Sequence, residues 1–600
     1  MEFKKLFLGR NFAGIIEVMF IILVFVTPFI SYSSILFSIK DGQELFFLTV
    51  ISCFTFFKGF DIYRRKQLHI DSVDVFFFIF TLYCCCHYFN FSYYSTLYTG
   101  FWVFISYILL FYLFRLLYSY QETKFGNFNK TIYLIWGFCF AQAIIGLMQE
   151  FEFLSSKNDY FDVVGTFINP NFLGVYMVMG LLAALYQVVF FVLKTWIYKT
   201  VLFTSAFSMF YVLIITDSRA SWLAFFIGII TLLGTSESCI LFFKNNIKKG
   251  ILIMSFFCIL LISSVYLLYQ INKESVNGRF LIQKITLMKI EEKPIMGYGN
   301  FNFTGIYNDS KAIYFTDINR KWEEVRLANY ITICYNDYLQ ILFEIGIIGL
   351  VIIVLIIISV FKNMEFNRYA RFGISIFVLH CFLALFTSVL YNLNAMLFVI
   401  WALAIVFSFS KENRKKMIVI ANTGFNKILG TAIIISGVLI SILFFIKTQS
   451  LTSFNEVLTG ENQKFYYKLN DRSIKCIQDD AFVEFKIGFE KYREGEIKLG
   501  IDMMENSIKK CPIPDAIIAM AKVYAEVGNL VRAEKLLKFS INIEPFRFQP
   551  RIELLQFYIQ TNQNIKKRKL AQEIIDLPVK IKSEKVDLYK ETARKILINY

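Results

Sequence analysis

Apolar residues run along this chain in stretches long enough to cross a bilayer, and the breaks between them alternate in character. About thirteen stretches reach the length that a ~30 Å hydrocarbon core asks of a helix. They are residues 12–38, 44–60, 72–91, 96–118, 130–149, 171–193, 197–216, 220–243, 250–270, 339–361, 370–390, 393–410 and 425–446. The pattern predicts an all-α polytopic membrane protein. Between the ninth and tenth stretches lie roughly 65 polar residues, a loop length that is uncommon unless it is functional or disordered. Its high aromatic and β-branched content and its mixed charges predict a folded cap over residues 271–338. The apolar runs stop after residue 446, and charged helices of soluble type follow. The expected division is therefore a membrane domain at 1–446 and a helical domain at 447–600.

Charge orients this picture. The 600 residues are 56% hydrophobic and carry a net charge of +16. That excess does not point to nucleic acid, because it gathers in every second loop: Arg64-Arg65-Lys66, Lys124 with Lys130, Lys194 with Lys199, Lys248-Lys249, Arg368 with Arg371, and Arg414-Lys415-Lys416. Basic loops stay in the cytoplasm. Lys4, Lys5 and Arg10 place the N-terminus there as well. Thirteen spans then put the 271–338 loop and the C-terminal domain outside. The first run is too long for a cleaved signal peptide and lacks a small-residue cleavage site, so it is expected to be retained. The chain has eleven Cys and three His, without a CxxC pair or a Cys/His cluster. No metal site and no cofactor is expected.

The C-terminal segment repeats with a period of 33: Gly495 recurs as Gly528, Gly500 as Ala533, Ser507 as Ser540, and Pro512 as Pro545 and Pro578. Small residues at such offsets let two short helices pack closely, and proline ends the second. This predicts an α-solenoid of helical hairpins with spacing similar to the tetratricopeptide repeat. Such a solenoid is a candidate surface for a protein partner. A third unit, 547–578, keeps the proline but loses the small residues.

Polar groups gather at the outer ends of several spans. Before the sixth run stands Gly165-Thr166-Phe167-Ile168-Asn169-Pro170-Asn171, where Asn169 and Asn171 suit a helix cap and Pro170 its first turn. The seventh and eighth runs join through Thr216-Asp217-Ser218-Arg219-Ala220-Ser221-Trp222. The long loop carries Gly278-Arg279, Pro294-Ile295-Met296-Gly297-Tyr298-Gly299 and Tyr335-Asn336-Asp337-Tyr338-Leu339-Gln340, followed by Glu344-Ile345-Gly346. Arginine binds phosphate bidentately. Arg219 and Arg279 facing one cavity suit a substrate whose leaving group is a pyrophosphate, because cations stabilise the charge that develops as the bond breaks.

Taken in order, Asn-Pro-Asn-Phe-Leu-Gly at 169–174, Ser-Arg-Ala-Ser-Trp at 218–222, Gly-Arg at 278–279, Pro294–Gly299 and Asn336–Gln340 through Gly346 resemble the O-antigen ligase and polymerase superfamily. The resemblance covers roughly residues 130–410. It implies a GT-C-like helical membrane fold and metal-independent transfer of a glycan from undecaprenyl pyrophosphate. It also implies location in a bacterial cytoplasmic membrane, with the cap and C-terminal domain periplasmic. Carried over by motif, Arg219 and Arg279 engage the donor pyrophosphate. Asn169, Asn171, Trp222, Asn336 and Gln340 line the substrate site. The family's proposed catalytic histidine falls on Tyr335, and a phenol is a poor base at neutral pH. Asp337 and Glu344, the nearest carboxylates, are the expected proton acceptors, with Tyr335 orienting the acceptor hydroxyl.

The expected reaction is ligation of O-antigen to lipid A–core. Polymerisation of lipid-linked repeat units and transfer to a protein hydroxyl share the same donor motifs. A non-enzymatic transporter would show duplicated halves and charges near the membrane midplane. A simple anchor for a repeat scaffold would need one span.

Overall fold

The computed structural model describes residues 10–598 apart from 31–38, 65–67, 92–97, 119–123, most of 237–272, 410–417, 421–422, 459–480 and the positions 159, 193–194, 318–319, 363 and 581. Helices stand on every predicted run except 250–270, which lies largely outside the described residues. They are α1 (Arg10–Val26), α2 (Ile39–Arg64), α3 (Ser72–Phe91), α4 (Tyr98–Leu117), α5 (Lys124–Glu150), α6 (Pro170–Phe190), α7 (Trp196–Ile215) and α8 (Arg219–Gly234). After the cap come α12 (Asp337–Phe361), α13 (Arg368–Leu383), α14 (Leu393–Ser408) and α15 (Thr423–Leu458). Among the described residues, six helices are long and apolar enough to cross a membrane, and shorter apolar helices such as α8 and α14 pack among them.

The most buried helix is α14, whose residues from Leu393 to Val406 are all inside. Its Trp401 donates through Nε1 to the Tyr118 hydroxyl at 2.8 Å, which satisfies an indole that packing would otherwise strand. At one edge α2 and α15 approach closely because glycines line their contact: a Cβ on Gly59 would stand 2.7 Å from Ile434, and one on Gly430 2.6 Å from Tyr63. Close backbone approach of this kind is how membrane helices gain dispersion energy without a hydrophobic driving force. At the end away from the cap, Arg115 bridges Asp71 at 2.7 Å and Asp74 at 2.6 Å. A short antiparallel ribbon pairs Leu68–Ile70 with Ile418–Ile420 beside it.

One expectation changes. The run 370–390 is not one span: α13 stops at Leu383, and an irregular segment continues to Asn392, which caps α14 by accepting from Asn394 and Ala395 N–H. Hydropathy alone reads that segment as helix because it is largely apolar. The 271–338 stretch is itself mostly helical, with α9 (Lys273–Glu292), α10 (Phe303–Tyr314) and α11 (Trp322–Leu327) around a small core of Leu281, Ile285, Phe303, Tyr307 and Phe343.

The C-terminal part folds as helical hairpins: α16 (Ala481–Arg493) with α17 (Ile497–Lys510), α18 (Pro514–Glu526) with α19 (Leu530–Ile543), and α20 (Phe548–Gln560) with α21 (Asn564–Asp576), closed by α22 (Glu584–Ile598). The turns of the three hairpins carry Gly495, Gly528 and Asn562, all at positive φ. Asparagine tolerates that region better than most side chains, so the third unit keeps the geometry with a different residue. These hairpins dock on the cap. Tyr330 N–H donates to Glu544 at 3.2 Å, the Tyr330 hydroxyl lies 2.9 Å from Cys511 Sγ, and Trp322 packs on Phe546.

Candidate functional site

The site lies where the cap meets the ends of α6, α8 and α12. Asn169 caps α6, its side chain accepting from Asn171 N–H at 2.9 Å. One turn on, Gly174 lies against the start of α8: a Cβ there would meet Ser218 and Ser221 at 2.8 Å. The two serines bond each other at 2.7 Å. Trp222 braces the same corner by donating to Leu213 O at 2.8 Å. The Asn-Pro-Asn-Phe-Leu-Gly and Ser-Arg-Ala-Ser-Trp segments are thus two halves of one joint, and that joint aims Arg219.

A second joint positions α12. Its helix is broken at Gly346, with φ 64° and ψ −170°. The break frees the carbonyls of Phe343 and Glu344, and these accept from Tyr298 and Gly299 N–H, each at 2.9 Å. In return Ile347 N–H donates to Pro294 O at 3.0 Å. A Cβ on Gly346 would stand 2.2 Å from Ile295 O, and one on Gly297 2.6 Å from Glu344 O. The Pro294–Gly299 and Glu344–Gly346 motifs are therefore backbone pairings that admit no side chain at either glycine. Helix α3 latches this joint. Tyr83 donates to Ile345 O at 2.8 Å, and His87 Nε2 donates to Met296 O at 2.6 Å.

Three charged or aromatic groups converge between these joints. The Arg279 guanidinium lies over the Tyr335 ring, 5.4 Å from its centroid. Burial holds Arg279 below its ordinary value, Tyr335 partly offsets this, and the nearby Arg219 charge pushes it further down. Two cations are thus held in one partly dry place. Asp217 stands 3.9 Å from Arg219 as a loose counter-ion. Tyr335 has φ 55°, and Asp217 and Phe301 also have positive φ. A bulky residue in that region costs about 1–3 kcal/mol, and such strain gathers at functional sites.

The carboxylates are placed differently from the arginines. Asp337 is 1% exposed and Glu344 3%. Asp337 Oδ2 accepts from Val389 and Leu390 N–H at 2.8 and 3.0 Å, which pins the irregular segment after α13. Glu344 accepts from Phe301 N–H at 2.8 Å, from the Tyr391 hydroxyl, and from Gln340 Nε2 at 3.2 Å. Gln340 in turn accepts from Cys334 N–H at 2.9 Å. Asn336 caps α12 by accepting from Leu339 N–H at 3.1 Å. So Asn169, Trp222, Asn336 and Gln340, expected to line the substrate site, spend these polar atoms inside the protein, while Asn171 stands half-buried beside them. The expected proton acceptors, Asp337 and Glu344, are both buried, with carboxylate oxygens hydrogen-bonded to the frame. Tyr391, Tyr83 and Asn300, whose Nδ2 donates to Cys84 O at 3.2 Å, complete the frame and escaped the sequence reading, whereas His87 stood out there as a polar group near the outer end of its span. Only the tyrosine and asparagine in an apolar run hinted at Tyr391.

This arrangement can hold a doubly charged anion between two guanidinium groups and orient a hydroxyl near a phenol ring. Among the described residues, no three His, Cys, Asp or Glu side chains gather to hold a metal ion. Residues 204–354, which include Arg219, the described cap and the broken helix, match a family model described as O-antigen ligase. No curated protein matches the chain.

Proposed function

We propose that this chain, whose residues 204–354 match the O-antigen ligase family model, transfers a glycan from undecaprenyl pyrophosphate to an acceptor at the outer face of the cytoplasmic membrane. Membrane glycan transfer of the ligase or polymerase kind is the family's chemistry; donor, acceptor and compartment are the proposal. The observation that supports it is Arg279 lying over the Tyr335 ring under the cap, within reach of the Arg219 charge.

The chemistry follows from that pair. A glycosyl pyrophosphate leaves as an anion, and guanidinium groups already fixed in a poorly hydrated cleft stabilise the growing charge without reorganising. Tyr335 orients the acceptor hydroxyl by one hydrogen bond. Asp337 and Glu344 act through the backbone they hold; as the glycosidic bond forms and the sugar–phosphate bond breaks, the acceptor hydroxyl's proton leaves on the departing pyrophosphate. The preferred acceptor is a lipid A–core sugar, with the hairpin domain holding the cap and offering a surface to a partner. Polymerisation of repeat units and transfer to a protein hydroxyl use the same donor cleft.

Deleting the gene and analysing the glycan left on the lipid carrier tests this. Long polymer indicates a ligase, and single repeat units indicate a polymerase. An unchanged lipid-linked pool together with unchanged surface glycan overturns the reading.

A further inference from the structure

The segment between α5 and α6 exposes apolar surface that the site does not use. Phe151, Phe153, Leu154, Tyr160, Phe161 and Ile168 all lie on the outside, with Phe153 77% and Tyr160 86% exposed. Soluble loops of this length do not normally present so many large apolar side chains together. The segment is nevertheless well held. Leu154 N–H donates to Met148 O at 3.0 Å, Tyr160 N–H to Asn158 Oδ1 at 2.7 Å, and Asn158 Nδ2 to Ile168 O at 2.8 Å. Ser156 donates to Phe161 O. Its inner part, Val163–Phe167, is buried, and Gln149 accepts from Val164 and Gly165 N–H.

What covers the outer part is given by continuity with α5. Tyr133, Ile144 and Met148 form an exposed apolar stripe on that helix, a membrane span by length and composition. The stripe leads along the helix to exposed Phe151, Phe153 and Leu154. Phenylalanine and tyrosine at the end of a span are typical of the headgroup boundary. Exposed Glu150, Glu152 and Asp162 stop the segment from sinking deeper, because carboxylates stay with water.

We propose that residues 151–168 form a foot that seats in the headgroup–acyl boundary of the leaflet on the cap side and binds lipid there. The foot ends on Ile168, next to the Asn169 cap of α6, so its seating sets the height of the Arg219 corner relative to the headgroups. The consequence for a lipid-linked donor rests on the proposed function; the lipid contact itself does not.

The test places the photoreactive residue p-benzoylphenylalanine at Phe153, Tyr160 or, for reference, exposed Ile565 of the hairpin domain. The full chain is irradiated in nanodiscs of phosphatidylethanolamine and phosphatidylglycerol and read by mass spectrometry. Lipid adducts should form at 153 and 160 well above those at 565. Equal yields at all three positions, or cross-links to a second copy in place of lipid, overturn the proposal. A second arm compares Phe153→Ser/Tyr160→Ser with the parent on a lipid-linked donor and on a short-chain, water-soluble analogue. A selective loss on the lipid-linked donor extends the foot to catalysis. An equal effect on both, with lipid adducts intact, removes only that extension and leaves the lipid contact standing.

Discussion

Burial holds Arg279 below its ordinary value, and the charge of Arg219 pushes it the same way. An anion between them converts the repulsion into two charge-assisted bonds of roughly 1.5–3 kcal/mol each. Arg219→Ala or Arg279→Ala should therefore slow transfer roughly tenfold to a hundredfold, and lysine should rescue poorly because it lacks the planar fork. Full activity in either alanine variant removes the donor-site assignment. Glu344 separates two roles by experiment. As a strut it accepts three donors, and Glu344→Gln turns one accepting atom into a competing donor, costing about 1–3 kcal/mol of stability. A fall in Tm is expected, with transfer falling in step. An unchanged Tm with a roughly 10²–10⁴-fold slower reaction would make it a general base instead. The motifs that carry the arginines and the paired glycines stood out in the sequence, but the pairing of the glycines did not. Nor did the strut role of Glu344, because its partners Phe301 and Tyr391 lie 43 and 47 residues away.

At the scale of elements, the helices were read nearly in full, since apolar length is written into the residues themselves. What escaped was where a span stops being helical. The break at Gly346 and the irregular end of α13 are set by tertiary hydrogen bonds that hydropathy does not see. The docking of the hairpins on the cap was equally invisible, and a buried lysine of the cap, Lys311, lies within reach of the hairpins' charge. This side chain is buried, donates to Asn308 Oδ1 at 2.8 Å and to Asn329 O, and feels the charge of Glu544. Burial pushes it down to about 7. A lysine lowered on folding binds fewer protons folded than unfolded between that value and its ordinary 10.5. Stability from this group therefore rises with pH across that window and is flat below it. Thermal unfolding of the full chain at pH 7 and pH 9 should show the gain, and Lys311→Met should flatten it. An identical pH response in parent and variant would contradict the assignment. Asn329 and Ile331, which Lys311 and Asn308 hold, lie only a few residues before strained Tyr335. Docking of the hairpins is thereby linked to the site.

For the molecule as a whole, the alternation of basic loops makes a directional prediction. With the cap and hairpins on one side, single cysteines in place of exposed Glu291 and Asn562 should both react with a membrane-impermeant thiol reagent in intact spheroplasts, above the parent's background. Labelling only after lysis would invert the topology. The break in α12 also has a mechanical meaning. Residues 337–348 are tied to the cap and to the segment before α14, Ile347 and Ile348 through the carbonyls of Pro294 and Ile295, while the rest of α12 continues as an apolar helix to Phe361. A bilayer that thickens or thins by a few ångströms pulls on spans at a cost of fractions of a kcal/mol per Å. Here that strain reaches the lower half of a jointed strut, while the upper half stays clamped. Transfer measured in bilayers with acyl chains from fourteen to twenty carbons should stay nearly constant, whereas a rigid helix would pass each change of thickness directly to Tyr335. On that outcome the joint decouples Tyr335 from strain in the lower part of α12.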